Sequence, residues 1–490
     1  MKETKEQNLG ETMDFKTLID NLGKKRNAVI RIKKVTLNNF KNVGHGEITL
    51  NCGGDFTESD ILGIYGQNGS GKTAFIEALS ILKSLMGGWP VPSIYADCVA
   101  IGKECADLEF VFDIQYPDEV IREATYSFSM GIKPLTKEEI IAKYADVLHK
   151  LNKIPDKANK VEIYNEKFFL TWETESKSQR IIDTSSENAP FTPVTKRKKL
   201  VGTEKQVLMS LELNKRFARE QSYSFIFMED TLKILAYNDQ NFIPFRVLTE
   251  LRYYAGHYLY VIDTKSSGLI RLNFALPVCT KEDIKIFDAE GKITVPIKEF
   301  DKIRIEIKNI SSVLEQLVPG LAIRLKKCEH TVSKTTGMPM VEAELEVHRD
   351  DIVLPLRDES DGVRKIISVL GLIIEAFNQP SATVAIDEFD AGIFEYLLGE
   401  ILQVIEESGC GQFIFTSHNL RPLEVISKKF LCFTTTNTEN RYTRLKNISA
   451  TNNLRDTYFR KIVLCGQEEE IYNQTKRFKM IAALKKAGDE

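Results

Sequence analysis

Residues Gly66 to Thr73 read GQNGSGKT, an unbroken G-x-x-x-x-G-K-T run. Glycines at 66, 69 and 71 let the backbone curl until several N–H groups face one anion. Lys72 is long enough to reach the β- and γ-phosphates of a nucleotide, and the Thr73 hydroxyl can ligate Mg²⁺. Gln67, Asn68 and Ser70 complete this phosphate-binding loop. The competing reading is a chance match, with Lys72 an ordinary surface lysine. The flanks argue against it, because apolar Ile61 to Ile64 leads in as a strand and AFIEAL leads out as a helix. The positive end of that helix adds to the field at the loop.

Three further groups lie far downstream. Ala382 to Glu388, ATVAIDE, is an apolar run of parallel-strand type ending in two carboxylates. Asp387 can hold Mg²⁺, directly or through water, and Glu388 can orient and deprotonate an attacking water. Alone the pair is a weak signal, since acids commonly sit at helix N-termini. The next apolar run, Gln412 to Phe415, delivers TSHN and puts His418 where a γ-phosphate can be sensed. Before both, LRDESDGVRK places Ser360 and Gly362 just ahead of a helix. Ser360 is a good N-cap; the same hydroxyl and N–H groups also suit a second anion site, for a nucleotide held by another subunit.

The elements that must position these groups follow from periodicity. Residues 1–27 form a polar leader, either without fixed structure or a contact arm. Ala28 to Leu50 alternates in two runs and predicts a hairpin, with Leu37 to Asn42 between its strands. A helix from Thr73 to Met86 and strands at Asp107–Gln115 and Glu123–Met130 complete a first half, 28–130. An α+β insertion follows over 131–320. It holds a helical stripe from Leu135 to Asn152, strands within Val161–Thr184, and helices over 203–219, 243–255 and Lys302–Leu317. A polar connector there contains TKRKKL, Thr195 to Leu200, read as a solvated loop or as a contact for nucleic acid or an acidic partner. Strands at Leu321–Lys327 and Val341–Val347 open a second half, 321–450. Its strand–helix–strand alternation predicts a parallel sheet with helical crossovers. Residues 451–490 read as a charged helical tail. No heptad tract of several turns appears, which argues against a long coiled coil.

With 490 residues, 43% apolar and 28% charged, the composition is that of a globular chain with about two to four domains. Net charge is 66 − 69 = −3, so no global basic field advertises nucleic-acid binding. No apolar run approaches the roughly 20 residues of a membrane span, and MKETKEQNLGETMDF lacks the apolar core of a secretory signal. Eight scattered cysteines with no C-x-x-C pair suit a reducing, cytoplasmic setting.

In order, NNFKN, GQNGSGKT, ESDGVRK, AIDEFDAGIF and TSHN resemble the motifs of ABC-type ATPase heads of the SMC, RecF and OLD-like proteins. The set looks most like the stand-alone OLD-like members known as "AAA family ATPases", whose signature reads ES-x-G-x-R/K. The resemblance implies an α/β P-loop head with a mixed or parallel sheet, an N-terminal β-subdomain and a large insertion. It also implies that two heads sandwich two ATP molecules with Mg²⁺. Residue by residue, it gives Lys72 and Thr73 the phosphate-loop roles and Asp387 the Walker B role. Glu388 matches the catalytic glutamate, Ser360 and Gly362 the trans-acting signature, and His418 the switch histidine. Lys41, in NNFKN, matches a basic residue near the nucleotide. Gln115 is a candidate for the Q-loop glutamine without being assigned to it.

The motifs cover 28–130 and 320–450, and the insertion only loosely. The long coiled coil of SMC proteins is missing. Residues 419–490 carry no D-x-D and no further histidine, so the nuclease domain of OLD proteins is not expected. Small stand-alone members resemble the ATPase subunits of bacterial anti-phage systems such as the PARIS and Septu types. That implies a cytoplasmic sensor and scaffold, homodimeric or larger, which controls a separate nuclease effector on a DNA or phage-protein trigger. The alternative is a RecF-like DNA-binding ATPase in repair.

Overall fold

The computed structural model describes residues 28–50, 56–117, 121–144, 158–172, 178–238, 243–264, 275–279, 284–288, 292–333, 337–444, 455, 471 and 477–488. The polar leader, most of the tail and the far end of the expected Leu135–Asn152 helix lie outside them.

β1 (Val29–Phe40) and β2 (Val43–Thr49) form the expected hairpin, and β3 (Asp60–Tyr65) enters the glycine loop that α1 (Lys72–Met86) leaves. β4 (Cys105–Gln115), β5 (Ile121–Pro134), α2 (Lys137–Tyr144), β6 (Asn159–Trp172) and β7 (Gln179–Asp183) follow. A helical stretch comes next: α3 (Val194–Val201), α4 (Lys205–Glu220), α5 (Glu229–Asn238) and α6 (Ile243–His257), ending in β8 (Leu259–Ile262). β9 (Ala275–Cys279), β10 (Ile284–Asp288), β11 (Ile293–Pro296), α7 (Ile297–Leu317), β12 (Leu321–Val332), β13 (Pro339–Arg349) and β14 (Ile352–Pro355) lead to α8 (Asp361–Asn378). The chain continues through β15 (Thr383–Ile386), α9 (Glu395–Ser408), β16 (Gln412–Thr416), α10 (Pro422–Val425), β17 (Leu431–Thr434), β18 (Tyr442–Thr443) and α11 (Arg477–Gly488).

The molecule is α/β, built on two six-stranded sheets. One is antiparallel, in the order β2-β1-β4-β5-β6-β7. The other runs β18-β17-β3-β16-β15-β8 and is parallel except for β18. Its strands are apolar on both faces, as a sheet covered on both sides requires. Leu62, Ile64, Ala385, Ile414 and Cys432 share one core with α1 and the antiparallel sheet. Ile61, Tyr65, Val384, Ile386, Phe413 and Phe415 face a second core with α7, α8, α9 and the small sheet around β13. Among the described residues the longest helix is α7, at 21 residues, and no coiled coil is present.

Side chains lock the two large sheets together. Gln412, fully buried on β16, accepts from Ile32 N at 2.8 Å and donates to Ile32 O at 2.8 Å, so its amide pairs with β1 as another strand would. Arg31, 2% exposed, donates to the carbonyls of Phe56 (2.9 Å), Glu58 (3.0 Å), Pro380 (3.2 Å) and Cys410.

Three expectations change. TKRKKL is not a loop but the body of α3, which starts after Pro193 and buries Leu200 and Val201 while its lysines 198 and 199 face solvent. The strand expected through Glu388 stops at Ile386, because Glu388 takes φ 48° and turns the chain. Segment 131–320 contributes strands to both sheets: β6 and β7 extend the antiparallel one, and β8 forms an edge of the parallel one.

Candidate functional site

In the parallel sheet the carboxyl ends of β3, β16, β15, β8 and β17 share one edge, where such sheets bind ligands. Each expected group leaves from one of those ends. The glycine loop follows β3, Asp387 and Glu388 follow β15, and His418 follows β16.

The loop is shaped by its glycines and its walls. A Cβ at Gly66 would fall 1.7 Å from Thr434 Oγ1, so β17 could not approach this closely with any larger residue. Gly71 holds φ 99° at the start of α1, a conformation other residues resist. No side chain caps α1 and no acid sits in its first turn, which leaves the helix N-terminus suited to an anion. Ser70 Oγ donates to Gln67 O (2.6 Å), Tyr442 OH donates to Gly71 O (2.8 Å), and Asn42 Nδ2 bonds to Gly69 O. Asn68 and Gly69 are exposed at the tip, and Thr73 is half-buried.

Lys72 is 6% exposed and donates to Gly66 O (2.9 Å) and Gln67 O (3.1 Å). Burial pushes its pKa below the usual lysine value, while Asp387, Glu388 and Asp390 pull it back up. Lys72 after β3 and the carboxylates after β15 leave the same edge of the sheet, a pairing of charges that suits a nucleoside triphosphate with a divalent cation.

Asp387 is fully buried. Its Oδ1 accepts from Thr416 Oγ1 (2.6 Å) and its Oδ2 from Thr264 Oγ1 (3.0 Å), so hydroxyls of β16 and the β8 end aim the carboxylate. Glu388 is held by its backbone: its N–H donates to Thr416 Oγ1 (2.8 Å), and its C=O accepts from Lys365 Nζ (2.8 Å). The Glu388 side chain is half-buried. Asp390 Oδ2 accepts from the N–H groups of His418 (3.1 Å) and Asn419 (2.9 Å), whereas its buried Oδ1 has no partner among the described residues. The exposed His418 ring has its pKa lowered by partial burial and then by Lys72, so it is neutral near pH 7.

The structure thus gathers Lys72, Asp387, Glu388 and His418 and distributes the remaining candidates around them. Ser360 is exposed and caps α8, accepting from Val363 N (3.4 Å). Gly362 packs on the turn after Glu388, where a Cβ would lie 2.6 Å from Gly392 O. Lys41 takes φ 52° and pairs with the buried Glu77 of α1 at 2.7 Å; its neighbour Asn42 is the residue that touches the loop. Gln115 pairs with Val29, at the opposite end of β1 from Asn42, which removes it from the site.

Several contributors escaped sequence reasoning. Lys365 and Asp390 stand inside ESDGVRK and AIDEFDAGIF and could have been singled out as charges beside a carboxylate pair. Thr264, Thr434 and Tyr442 carry no local signal at all.

A family model described as an AAA ATPase domain matches residues 31–421. No curated protein matches the chain. Among solved structures, the SMC head domain from Thermotoga maritima is similar at 13% identity over 85% of this chain and 100% of that one, with a TM-score of 0.36. The SMC head bound to the C-winged helix domain of ScpA gives 13%, 84%, 97% and 0.37. The recombination mediator protein RecF with ATPrS, of the RecFOR pathway, gives 11%, 84%, 98% and 0.34. The family match spans the phosphate loop, the Asp387–Glu388 turn and His418, and with them most of the chain: the protein belongs to the AAA ATPase domain family.

Proposed function

We propose that this chain is an ABC-type ATPase head that closes on a second copy around ATP and Mg²⁺ and reopens after hydrolysis. In this reading it serves in the cytoplasm as the sensor and scaffold for a separate nuclease effector in bacterial anti-phage defence. The observation that carries the ATPase part is the position of Glu388, with its backbone clamped by Lys365 and Thr416 at the same sheet edge as Lys72. The loop glycines, Lys72 and the α1 N-terminus bind the phosphates. Mg²⁺ supplies charge neutralisation when bound, with Thr73 and Asp387 as its protein ligands. Glu388 takes the proton of the attacking water, and neutral His418 reports on the γ-phosphate. Ser360 and Gly362 lie at an exposed helix N-terminus, available to the nucleotide of the other copy. The effector role rests on the resemblance of the motif set, together with the lack of a D-x-D run or a histidine in residues 419–490.

Lys72→Ala should abolish ATP binding in calorimetry; retained affinity would remove the loop assignment. Glu388→Gln should bind ATP normally and lower turnover by roughly 10²- to 10⁴-fold while accumulating a closed dimer. Purified from its host, Glu388→Gln protein should carry a stoichiometric nuclease, seen by mass determination of the assembly. A bare dimer that binds duplex DNA, with affinity falling steeply between two salt concentrations, would instead support a RecF-like repair ATPase.

A further inference from the structure

The connection from β17 to β18 closes over the back of the phosphate loop. Thr434 Oγ1 donates to Tyr65 O at 3.2 Å and bonds to Ser70 Oγ, while Tyr442 OH donates to Gly71 O at 2.8 Å. The N–H groups of Gly44 and His45, on β2, both donate to Thr438 O at 2.8 Å. Segment 434–442 is therefore a clasp that ties the loop to the β1–β2 hairpin.

Arg441 lies inside this clasp. It is 5% exposed, and its Cγ and Cδ stand 3.3 and 3.4 Å from where a Cβ on Gly71 would be. Its guanidinium donates to Thr435 O (2.6 Å) and to the carbonyl of Asn42, the residue whose amide bonds to Gly69 O. Both acceptors are neutral. Its buried Nε has no partner among the described residues, and no carboxylate among them bonds to the guanidinium. Burial lowers the pKa of the group, and only the Tyr442 phenol pulls it back up. An arginine stays charged under that pressure. Lys72, the residue after Gly71, is buried to a similar degree, but Asp387, Glu388 and Asp390 oppose the penalty there. One cation beside the loop has its counter-charges in the protein; the other has none. A buried charge without a counter-ion costs stability, and an anion bound in the loop supplies what Arg441 lacks.

We propose that the phosphate chain of the bound nucleotide is the counter-ion of Arg441. Arg441 is then a positioning residue: it holds the Asn42 turn against the loop and adds a fixed positive charge behind Gly71. The inference rests on the loop being a nucleoside di- or triphosphate site, and it adds to that site a cation which the loop motif does not contain. Its consequence is a crossover, because the same charge that costs stability in the empty protein gains affinity in the loaded one.

The test compares Arg441→Met with Arg441→Lys in the full-length protein. Both keep an unbranched stem over Gly71, and only the lysine keeps the charge. In calorimetry, Arg441→Met should raise Kd for ATP and for ADP at least about tenfold, while Arg441→Lys stays within about threefold of wild type. In thermal unfolding without nucleotide the order should reverse, with Arg441→Met at least as stable as Arg441→Lys. A residue that merely holds the fold together would rank the two variants the same way in both measurements. Equal affinities for the two variants, or an empty Arg441→Met protein less stable than Arg441→Lys, would overturn the inference while leaving the nucleotide site in place. Failure of the wild type to bind ATP or ADP would remove both readings.

Discussion

Lys365 joins two motifs that the sequence presents as separate. It is buried, its ammonium bonds to the carbonyl of Glu388, and burial pulls its pKa down to about 8 against the pull of Asp390, Glu388 and Asp387. The residue that carries α8 to the turn therefore also fixes the backbone that aims Glu388. Lys365→Met should lower kcat, on the order of 10²-fold if Glu388 shifts by about 1 Å, while KM stays close to wild type. Unchanged kcat would show that the turn holds its shape without the lysine. Thr416 is a second such group, since one hydroxyl serves both Asp387 Oδ1 and Glu388 N. Thr416→Val should cost about 1–3 kcal/mol in urea unfolding, and the loss should shrink when Asp387→Asn is already present. At this scale the sequence was legible where the chemistry is contiguous. GQNGSGKT and the Asp387–Glu388 pair announce themselves by spacing. The pairing of Lys41 with the buried Glu77 of α1 was not legible, because nothing local in NNFKN points to a carboxylate one helix away. Thr434 and Tyr442 touch the loop across more than 360 residues of chain, a distance no local pattern encodes.

Between elements, the decisive contacts are polar. Gln412 and Arg31 fasten the antiparallel sheet to the parallel one through backbone groups, so the hairpin that presents Asn42 to the loop is held in register with β3. Gln412→Leu, close in volume but unable to pair with β1, should destabilise the protein by roughly 2–4 kcal/mol. A smaller loss than about 1 kcal/mol would mean that apolar packing alone holds the sheets. The helices carry a titratable signature of their own. Burial raises Glu375 of α8 to about 7, and Glu306 of α7 adds repulsion. Its carboxyl binds a proton more tightly folded than unfolded, so its contribution is full below about pH 4.5 and is lost as pH rises through about 7. Unfolding stability should therefore fall from pH 5 to pH 8, and Glu375→Gln should flatten that fall. Equal slopes would assign the pH dependence elsewhere. Element types were legible wherever a long period dominated, as in α1, α7 and α8. They failed where short runs are ambiguous. β8 is four apolar residues directly after a helix, and α3 is a basic stretch whose only apolar anchors are its last two residues.

For the whole molecule, the order of the parallel sheet matters more than its content. β3 carries the phosphate loop near the beginning of the chain, yet both of its neighbours, β16 and β17, come from near the end. A ribosome adding about 5–20 residues per second needs roughly 17–70 s to travel from β3 to β16. Throughout that interval the nascent chain holds an apolar strand with two unpaired edges, the kind of surface that templates aggregation. Folding speed is then set by one long-range closure, in line with the slow folding of high-contact-order proteins. Translation arrested before residue 412 should yield protein that no nucleotide rescues, and the same fragment should regain ATP binding only when residues 321–490 are supplied alongside it. The nucleotide site is in this sense assembled late, so no chain binds ATP before β16 and β17 have been made.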